Sequence, residues 1–274
     1  MQRGWEGETV RIGVIGCAGR MGRANLAQLL ATEGVELVGG TERPGHAVIG
    51  TDLGVLAGLE PIGITCTADN AALMTAAHAV IEFSVPEASV ANARLAAEHG
   101  CAHVIGTTGL EPADRAALAA AGERTAIVWA PNMSLGVNLL IGLAEKVAAS
   151  LGEEFDIEIV EMHHRHKVDA PSGTALAIGE AAARGRGKPL DELAVRGRDG
   201  FTGARPPGTI GFAALRGGDV VGDHTITFAG DGERLELTHK ASSRTIYSAG
   251  AVRAALWAGR QKPGLYGMCD VLGL

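Results

Sequence analysis

The feature that most constrains this chain is an apolar, largely β-branched run that ends in a glycine loop. Val10-Arg11-Ile12-Gly13-Val14-Ile15-Gly16 passes directly into Cys17-Ala18-Gly19-Arg20-Met21-Gly22. A short apolar run closed by glycine reads as a buried parallel strand, and the pattern over residues 20–32 predicts a helix. A second apolar run, residues 35–40, completes a β-α-β unit of about the ~30 residues such a unit needs. Further strands are expected at 79–83, 103–106 and 125–129, separated by Ala-rich helical stretches at 88–99 and 112–122. Strands alternating with helices in this way imply a Rossmann-like, doubly wound parallel sheet, hence the α/β class.

Gly16, Gly19 and Gly22 stand where the first strand hands over to the first helix. There, backbone N–H groups and the positive end of the helix dipole meet a dinucleotide pyrophosphate. The spacing G-x-x-G-x-x-G departs from the strict G-x-G-x-x-G fingerprint, and a glycine turn with no ligand is the bland alternative. Glu42 supplies a check, because it ends the second strand about twenty residues on, where a carboxylate accepts from ribose hydroxyls. Arg43 follows and suits a 2′-phosphate or an adenine face, so the pair is compatible with NADH and NADPH alike. Arg20 is within reach of the same phosphate. Two later turns, Gly106-Thr107-Thr108-Gly109 and Ala130-Pro131-Asn132-Met133-Ser134, each follow a predicted strand and outline a cleft at the carboxyl edge of the sheet.

After Asn132 the texture changes. A long amphipathic helix is expected over 133–149, and Phe155 to Glu161 then alternates apolar and acidic residues, as a strand with one wet face does. Strands in the same style are expected at 193–197, 209–215, 223–229 and 234–240, which makes a second, α+β domain with a mixed or antiparallel sheet. The Ala-rich stretch 248–258 is expected to be helical and to return to the first domain. The boundaries read from this are 1–132 completed by 243–274 for the first domain, and 133–242 for the second.

The segment Glu161-Met162-His163-His164-Arg165-His166-Lys167-Val168-Asp169-Ala170-Pro171-Ser172-Gly173-Thr174 is the richest in chemistry. Three histidines, an arginine and a lysine within five positions are costly to gather unless something anionic or a metal binds there. Against a metal, adjacent histidines in extended chain point apart, and Arg165 and Lys167 repel a divalent ion. A cationic pocket for a dicarboxylate suits the composition better, with a solvated basic patch as the functionless alternative. Ser172-Gly173-Thr174 precedes an Ala-rich helix over 175–183 and reads as its N-cap, where free N–H groups hold carboxylates.

Composition narrows the field further. The formal net charge of −7, with no long Lys/Arg run, argues against a nucleic-acid partner. The four cysteines show no CxxC pair and no metal-finger spacing, so they read as reduced core thiols in a cytoplasmic protein. Residues 1–9 lack an apolar stretch of signal-peptide length, and no segment approaches the ~20 apolar residues that cross a bilayer.

Taken together these motifs resemble the 4-hydroxy-tetrahydrodipicolinate (dihydrodipicolinate) reductase family. The likeness runs through residues 16–22, 106–109, 132–138 and 163–174. It continues through Arg216-Gly217-Gly218-Asp219-Val220-Val221-Gly222-Asp223-His224 and His239-Lys240-Ala241-Ser242-Ser243-Arg244. The resemblance implies a nucleotide-binding domain built from both ends of the chain, a central domain that binds substrate and forms a homotetramer, and hinge closure between the two. It implies reduction by NADH or NADPH of the imine formed from 4-hydroxy-2,3,4,5-tetrahydrodipicolinate, on the diaminopimelate route to lysine. By position it makes His163 the proton donor or acceptor and Lys167 the second donor, with His164, Ser172, Gly173 and Thr174 contacting substrate and no metal. Cofactor contacts are implied for Gly16, Cys17, Ala18, Gly19, Arg20, Met21, Glu42, Arg43, Gly106, Thr107, Thr108, Ala130, Pro131, Asn132 and Met133. Glu82-Phe83-Ser84 stands where the family commonly has Asp-Phe-Thr, and Pro131 replaces a small residue; both departures lie near the cofactor.

Overall fold

The computed structural model describes residues 9–274; the polar opening, on which the expectation of no signal peptide rests, lies outside the described residues apart from Thr9. The described chain divides into two compact units, residues 9–135 with 245–274, and residues 136–244.

In the first unit the elements are β1 (Val10–Ile15), α1 (Arg20–Leu30), β2 (Val35–Thr41), α2 (Leu53–Leu56), α3 (Asn70–Ala76), β3 (Ala79–Glu82), α4 (Pro86–His99), β4 (Ala102–Ile105), α5 (Pro112–Gly122) and β5 (Ala126–Trp129). The sheet is parallel throughout. Strands β3 and β4 are buried at every position, so they do not alternate apolar with polar residues, and the two polar side chains they carry, Glu82 and His103, are fully buried. Proline opens α4 and α5 at the first turn, where its missing N–H costs nothing. Gly100, in the left-handed region at φ 64°, closes α4.

The second unit contains α6 (Leu135–Leu151), β6 (Asp156–His163), α7 (Gly173–Gly185), α8 (Leu190–Leu193), β7 (Ala194–Val195), β8 (Ile210–Arg216), β9 (Gly222–Gly230) and β10 (Glu233–Ala241). The chain then returns to the first unit as α9 (Thr245–Ala258), β11 (Gly264–Tyr266) and α10 (Met268–Leu272). Helix α9 packs on α1, β3 and β4, and β11 adds a parallel edge strand to β5. The six-stranded order is therefore β11-β5-β4-β3-β1-β2, with the reversal of strand order at β1/β3.

The second sheet has the order β10-β9-β6-β8-β7 and is mixed: β8 runs parallel to β6, and β9 antiparallel to both β6 and β10. Its core joins Leu140 and Ala144 of α6, Ile178 and Ala182 of α7, and Ile157, Ile159, Phe212, Ile226 and Phe228 of the sheet. The strand expected at 193–197 shrinks to residues 194–195, because Leu190–Leu193 forms a helical turn that consumes its start. Strand β11 was not anticipated. No helix among the described residues is long and apolar enough to cross a membrane.

Candidate active site

Strand β6 lies between β8 and β9, so its inward side chains are flanked on both sides. Ile157, Ile159, Glu161 and His163 alternate on the buried face. Glu161 is only 1% exposed, and every hydrogen bond to it comes from a donor. Arg216, at the end of β8 and in register with His163, donates to it twice, Nη1 to Oε2 at 2.8 Å and Nη2 to Oε1 at 3.0 Å. The Ser172 backbone N–H donates to Oε1 at 3.1 Å. Burial raises the carboxyl pKa, but the Arg216 and His163 contacts and the Ser172 N–H outweigh it and hold Glu161 below the usual carboxylate range.

An ionised carboxylate can only accept. The contact between His163 Nδ1 and Glu161 Oε2 at 2.5 Å therefore fixes the proton on Nδ1 and leaves Nε2 for other work. Gly222 keeps space beside that nitrogen, since a Cβ there would lie 3.0 Å from Nε2. His224, opposite Glu161 on β9, stands edge-on to His163 with ring centroids 5.1 Å apart. Its Nε2 is 3.2 Å from Ser172 Oγ.

Beyond β6 the chain turns. Gly217 N donates to His163 O and Arg165 N to Gly218 O, tying this turn to the one after β8. His164, Arg165, His166, Gly218, Asp219 and Arg244 line a cavity of about 730 Å³. Burial and the nearby Arg244, His166, His163 and Lys167 charges push the His164 pKa down. Lys167 Nζ donates to Asp169 Oδ1 at 2.8 Å. Ser172 caps α7, accepting from Ala175 N at 3.2 Å, and is itself buried. Gly173 is exposed on the first turn with open space where a Cβ would be, and Thr174 follows it, half-buried.

In the first unit, the loop after β1 leads into a helix with a bare N-terminus. Gly19 caps α1 without a side-chain hydrogen bond, and the first turn carries no acid, so the helix N–H groups are open to a phosphate. Gly22 must be bare, as a Cβ would sit 2.1 Å from Gly16 O; this is the third glycine's role in close helix-strand packing. Glu42 accepts from Ala18 N at 3.0 Å and Arg43 N at 3.3 Å, which ties the end of β2 to the loop. Arg20 and Arg43 are exposed, and Ala18 and Met21 half-buried. Cys17 turns inward: its thiol lies 3.4 Å from Cys66 Sγ, and its N–H is used on Thr41 O. Burial, with the Cys66 and Glu42 neighbours, pushes that thiol's pKa up.

Across the carboxyl edge of the sheet, Gly106 follows β4 with its Cα against the Phe83 ring, 2.1 Å from any Cβ placed there. Thr107 is buried and Thr108 exposed. The turn after β5 leaves Ala130 and Met133 buried, Asn132 half-buried and Pro131 exposed, with Asn132 Oδ1 accepting from Ser134 N at 2.9 Å.

Two family models meet near the same point at residue 135, the second running on through the segment that returns to the first unit. "Dihydrodipicolinate reductase, N-terminus" matches residues 10–133 and "Dihydrodipicolinate reductase, C-terminus" residues 136–272. The chain is 56% identical over 265 residues to a 4-hydroxy-tetrahydrodipicolinate reductase of Rhodopseudomonas palustris strain BisB18, covering 97% of this chain and 98% of that one. It is 55% identical over 261 residues to the enzyme of that name from Dinoroseobacter shibae, covering 95% and 97%. The chain belongs to the dihydrodipicolinate reductase family. Among solved structures, the dipicolinate-bound dihydrodipicolinate reductase of Paenisporosarcina sp. TG-14 shares the fold at TM-score 0.77 and 23% identity, over 96% of this chain and 98% of that one. An amine dehydrogenase of Mycobacterium smegmatis shares it at TM-score 0.58 and 15% identity, over 94% and 95%.

In this dihydrodipicolinate reductase family member, Glu161, Arg216 and His224 fall within motifs the sequence offers, but the sequence alone gives them no role. A signal for Glu161 was legible. Apolar and acidic residues alternate along 155–159, then the phase inverts at Val160-Glu161, which puts a carboxylate on the buried face and an apolar residue outside. A buried charge on a core face calls for partners.

His224 carries a pH prediction. Burial, then the neighbouring His163, lowers its pKa from 6.5 to about 4, so the folded protein refuses a proton that the unfolded chain binds. Stability is expected to fall as pH drops from 6.5 towards 4, with a contribution from this residue on the order of 3 kcal/mol fully lost below that window. Urea titrations across that range should show a shallower fall in His224→Asn than in the wild type; parallel curves would refute the assignment.

Proposed function

We propose that this chain reduces the cyclic imine derived from 4-hydroxy-2,3,4,5-tetrahydrodipicolinate to tetrahydrodipicolinate, with NADH or NADPH as reductant, on the diaminopimelate route to lysine. The observation that carries the reading is the Arg216-Glu161-His163 chain, with Glu161 and His163 buried, beside a cavity lined by His164, Arg165, His166 and Arg244. A dicarboxylate needs positive charge that is held in place, and a reduced imine needs a proton donor. The Paenisporosarcina enzyme was solved with dipicolinate bound, a dicarboxylate of the kind this cavity suits.

The Gly16–Gly22 loop fits a dinucleotide: its helix N-terminus is uncapped and Gly22 leaves the close approach such a loop needs. Gly16, Gly19, Arg20 and Met21 would hold the pyrophosphate, Glu42 and Arg43 the adenine ribose, and Gly106–Thr108 with Ala130–Met133 the nicotinamide side. When bound, NAD(P)H supplies a hydride to the imine carbon. The chain's own part is acid-base work and charge. Arg216 and Ser172 keep Glu161 ionised; Glu161 keeps the proton of His163 on Nδ1, so that Nε2 is the atom that exchanges protons with substrate. Lys167 holds an ammonium ready at Asp169, delivers a proton to the substrate nitrogen, and stabilises charge developing there. His164, Gly173 and Thr174 bind the carboxylates, the latter two through the start of α7, while Ser172, by capping that helix, sets its first turn.

The reading extends to a cytoplasmic homo-oligomer, a tetramer by family likeness. Its support is the second sheet, which leaves Val160 and Leu215 39% and 49% exposed, apolar area that a second copy would cover.

Loss of NADPH absorbance on addition of the cyclic imine tests the activity. A non-catalytic nucleotide sensor would bind NADPH and leave the absorbance flat, and that outcome would overturn the reductase reading. Parallel titrations with NADH fix the preference that Glu42 and Arg43 leave open.

A further inference from the structure

Beneath the turn at 106–108 lies a polar network that the chemistry above does not use. Glu82, the last residue of β3, and His103 of β4 are both fully buried, at 0% exposed, and His103 Nε2 meets Glu82 Oε2 at 2.8 Å. Asn92 of α4 donates to Glu82 Oε1 at 3.1 Å, and the Ser84 hydroxyl donates to the same oxygen. Burial raises the Glu82 pKa, but the His103, Ser84 and Asn92 contacts outweigh it and keep the carboxyl ionised. His103 Nδ1 has no hydrogen-bond partner among the described residues, so the bond that holds the ring is the Nε2–H it gives to the carboxylate.

The directions of these bonds propagate. Ser84 spends its proton on Glu82, while its backbone N–H donates to Thr107 Oγ1 at 3.0 Å. Ser89 donates its hydroxyl proton to the same Thr107 oxygen at 2.8 Å. Thr107 Oγ1 thus accepts twice, which pins this buried residue from beneath the turn. Trp129 Nε1 holds the Thr107 carbonyl at 3.1 Å, so both ends of this residue are fixed.

Which part of a dinucleotide meets the 106–108 turn follows from strand order. Glu42 lies at the end of edge strand β2 and the glycine loop at the end of β1, with β3 and β4 on the other side of β1. A molecule with its ribose at Glu42 and its pyrophosphate at the loop continues over β3 and β4 with its nicotinamide half. We propose that Glu82 is a positioning residue for that half: its buried charge orders Ser84, Ser89 and buried Thr107, and so holds the 106–108 turn, with its exposed Thr108, in the shape that meets the nicotinamide ribose or carboxamide. This rests on the dinucleotide reading above.

The test uses the full-length protein and three probes, NADH, NADPH and ADP-ribose, the last of which lacks nicotinamide. Glu82→Gln places an amide's N–H donors where the carboxylate offers only lone pairs, so either His103, or Ser84 and Asn92 together, face another donor. Affinity for NADH and NADPH is expected to fall by the same factor, about tenfold, a change of one decade or roughly 1.4 kcal/mol. ADP-ribose affinity should stay within about twofold, and the KM for the imine should not change. Should Glu82→Gln not fold, Ser84→Ala cuts the link from carboxylate to turn while leaving the Glu82–His103 pair, with the same pattern expected at about threefold. ADP-ribose losing as much affinity as NADH, or neither ligand losing any, overturns the positioning role. Wild-type protein that binds none of the three overturns the dinucleotide reading and this proposal with it.

Discussion

Lys167→Ala is expected to lower kcat by about 10²–10⁴, the range that follows loss of a general acid, with a smaller rise in KM for the imine. The lysine stands in the turn after β6, its backbone N–H bonded to His164 O and its ammonium to Asp169, so the turn keeps its backbone tie when the side chain is removed. Asp169 is more than half exposed on its side chain and holds the ammonium from the solvent side; exposed pairs of this kind contribute little to stability. The melting temperature should therefore move far less than the rate. Steady-state kinetics beside a thermal scan separate the two, and near-normal turnover in the variant would remove Lys167 from the chemistry.

The other large effect belongs to Glu161. Glu161→Gln keeps the shape but turns an amide N–H₂ towards Arg216 or the Nδ1–H of His163, so donors face donors around a group that is buried. Breaking a buried charge pair on one side costs about 3–5 kcal/mol, and the denaturation midpoint should fall accordingly. Activity should fall at the same time by a factor on the order of 10² or more, the size of a general acid-base contribution, because His163 loses the partner that sets its tautomer. Arg216→Lys distinguishes the parts. It removes the two-pronged contact but keeps a charge, so stability should drop less and the pH profile of kcat should survive. A Glu161→Gln enzyme with wild-type kcat and an altered midpoint would make the carboxylate purely architectural.

Much of the architecture was legible because β1, β2, β3, β4 and β5 are short, apolar and punctuated by glycine or helix caps. What escaped was whatever depends on pairing. Strand β11 has three residues, too few to show a period, and exists because β5 offers an open edge. Glu161 was visible as an acid on a strand, but its partner Arg216 lies 55 residues on, and only the parallel register of β6 with β8 brings it opposite His163. Cys17 and Cys66 likewise read as unrelated small core residues, 49 apart, until α1, β2 and the loop before α3 set their sulfurs 3.4 Å from each other. Glu82 was noticed as a departure from the family's usual residue, yet its reason appears only with His103 beside it on β4.

The return of residues 245–274 to the first unit fixes an order of assembly on the ribosome. Residues 136–244 emerge and can complete their sheet while the nucleotide-binding unit still lacks α9 and β11. Until those arrive, the faces of α1, β3 and β4 that α9 covers, and the edge of β5, are open to water and to other chains. The half of the molecule translated first is thus the last to be finished, and a message cut short before codon 245 would yield a closed second unit joined to an unfinished first.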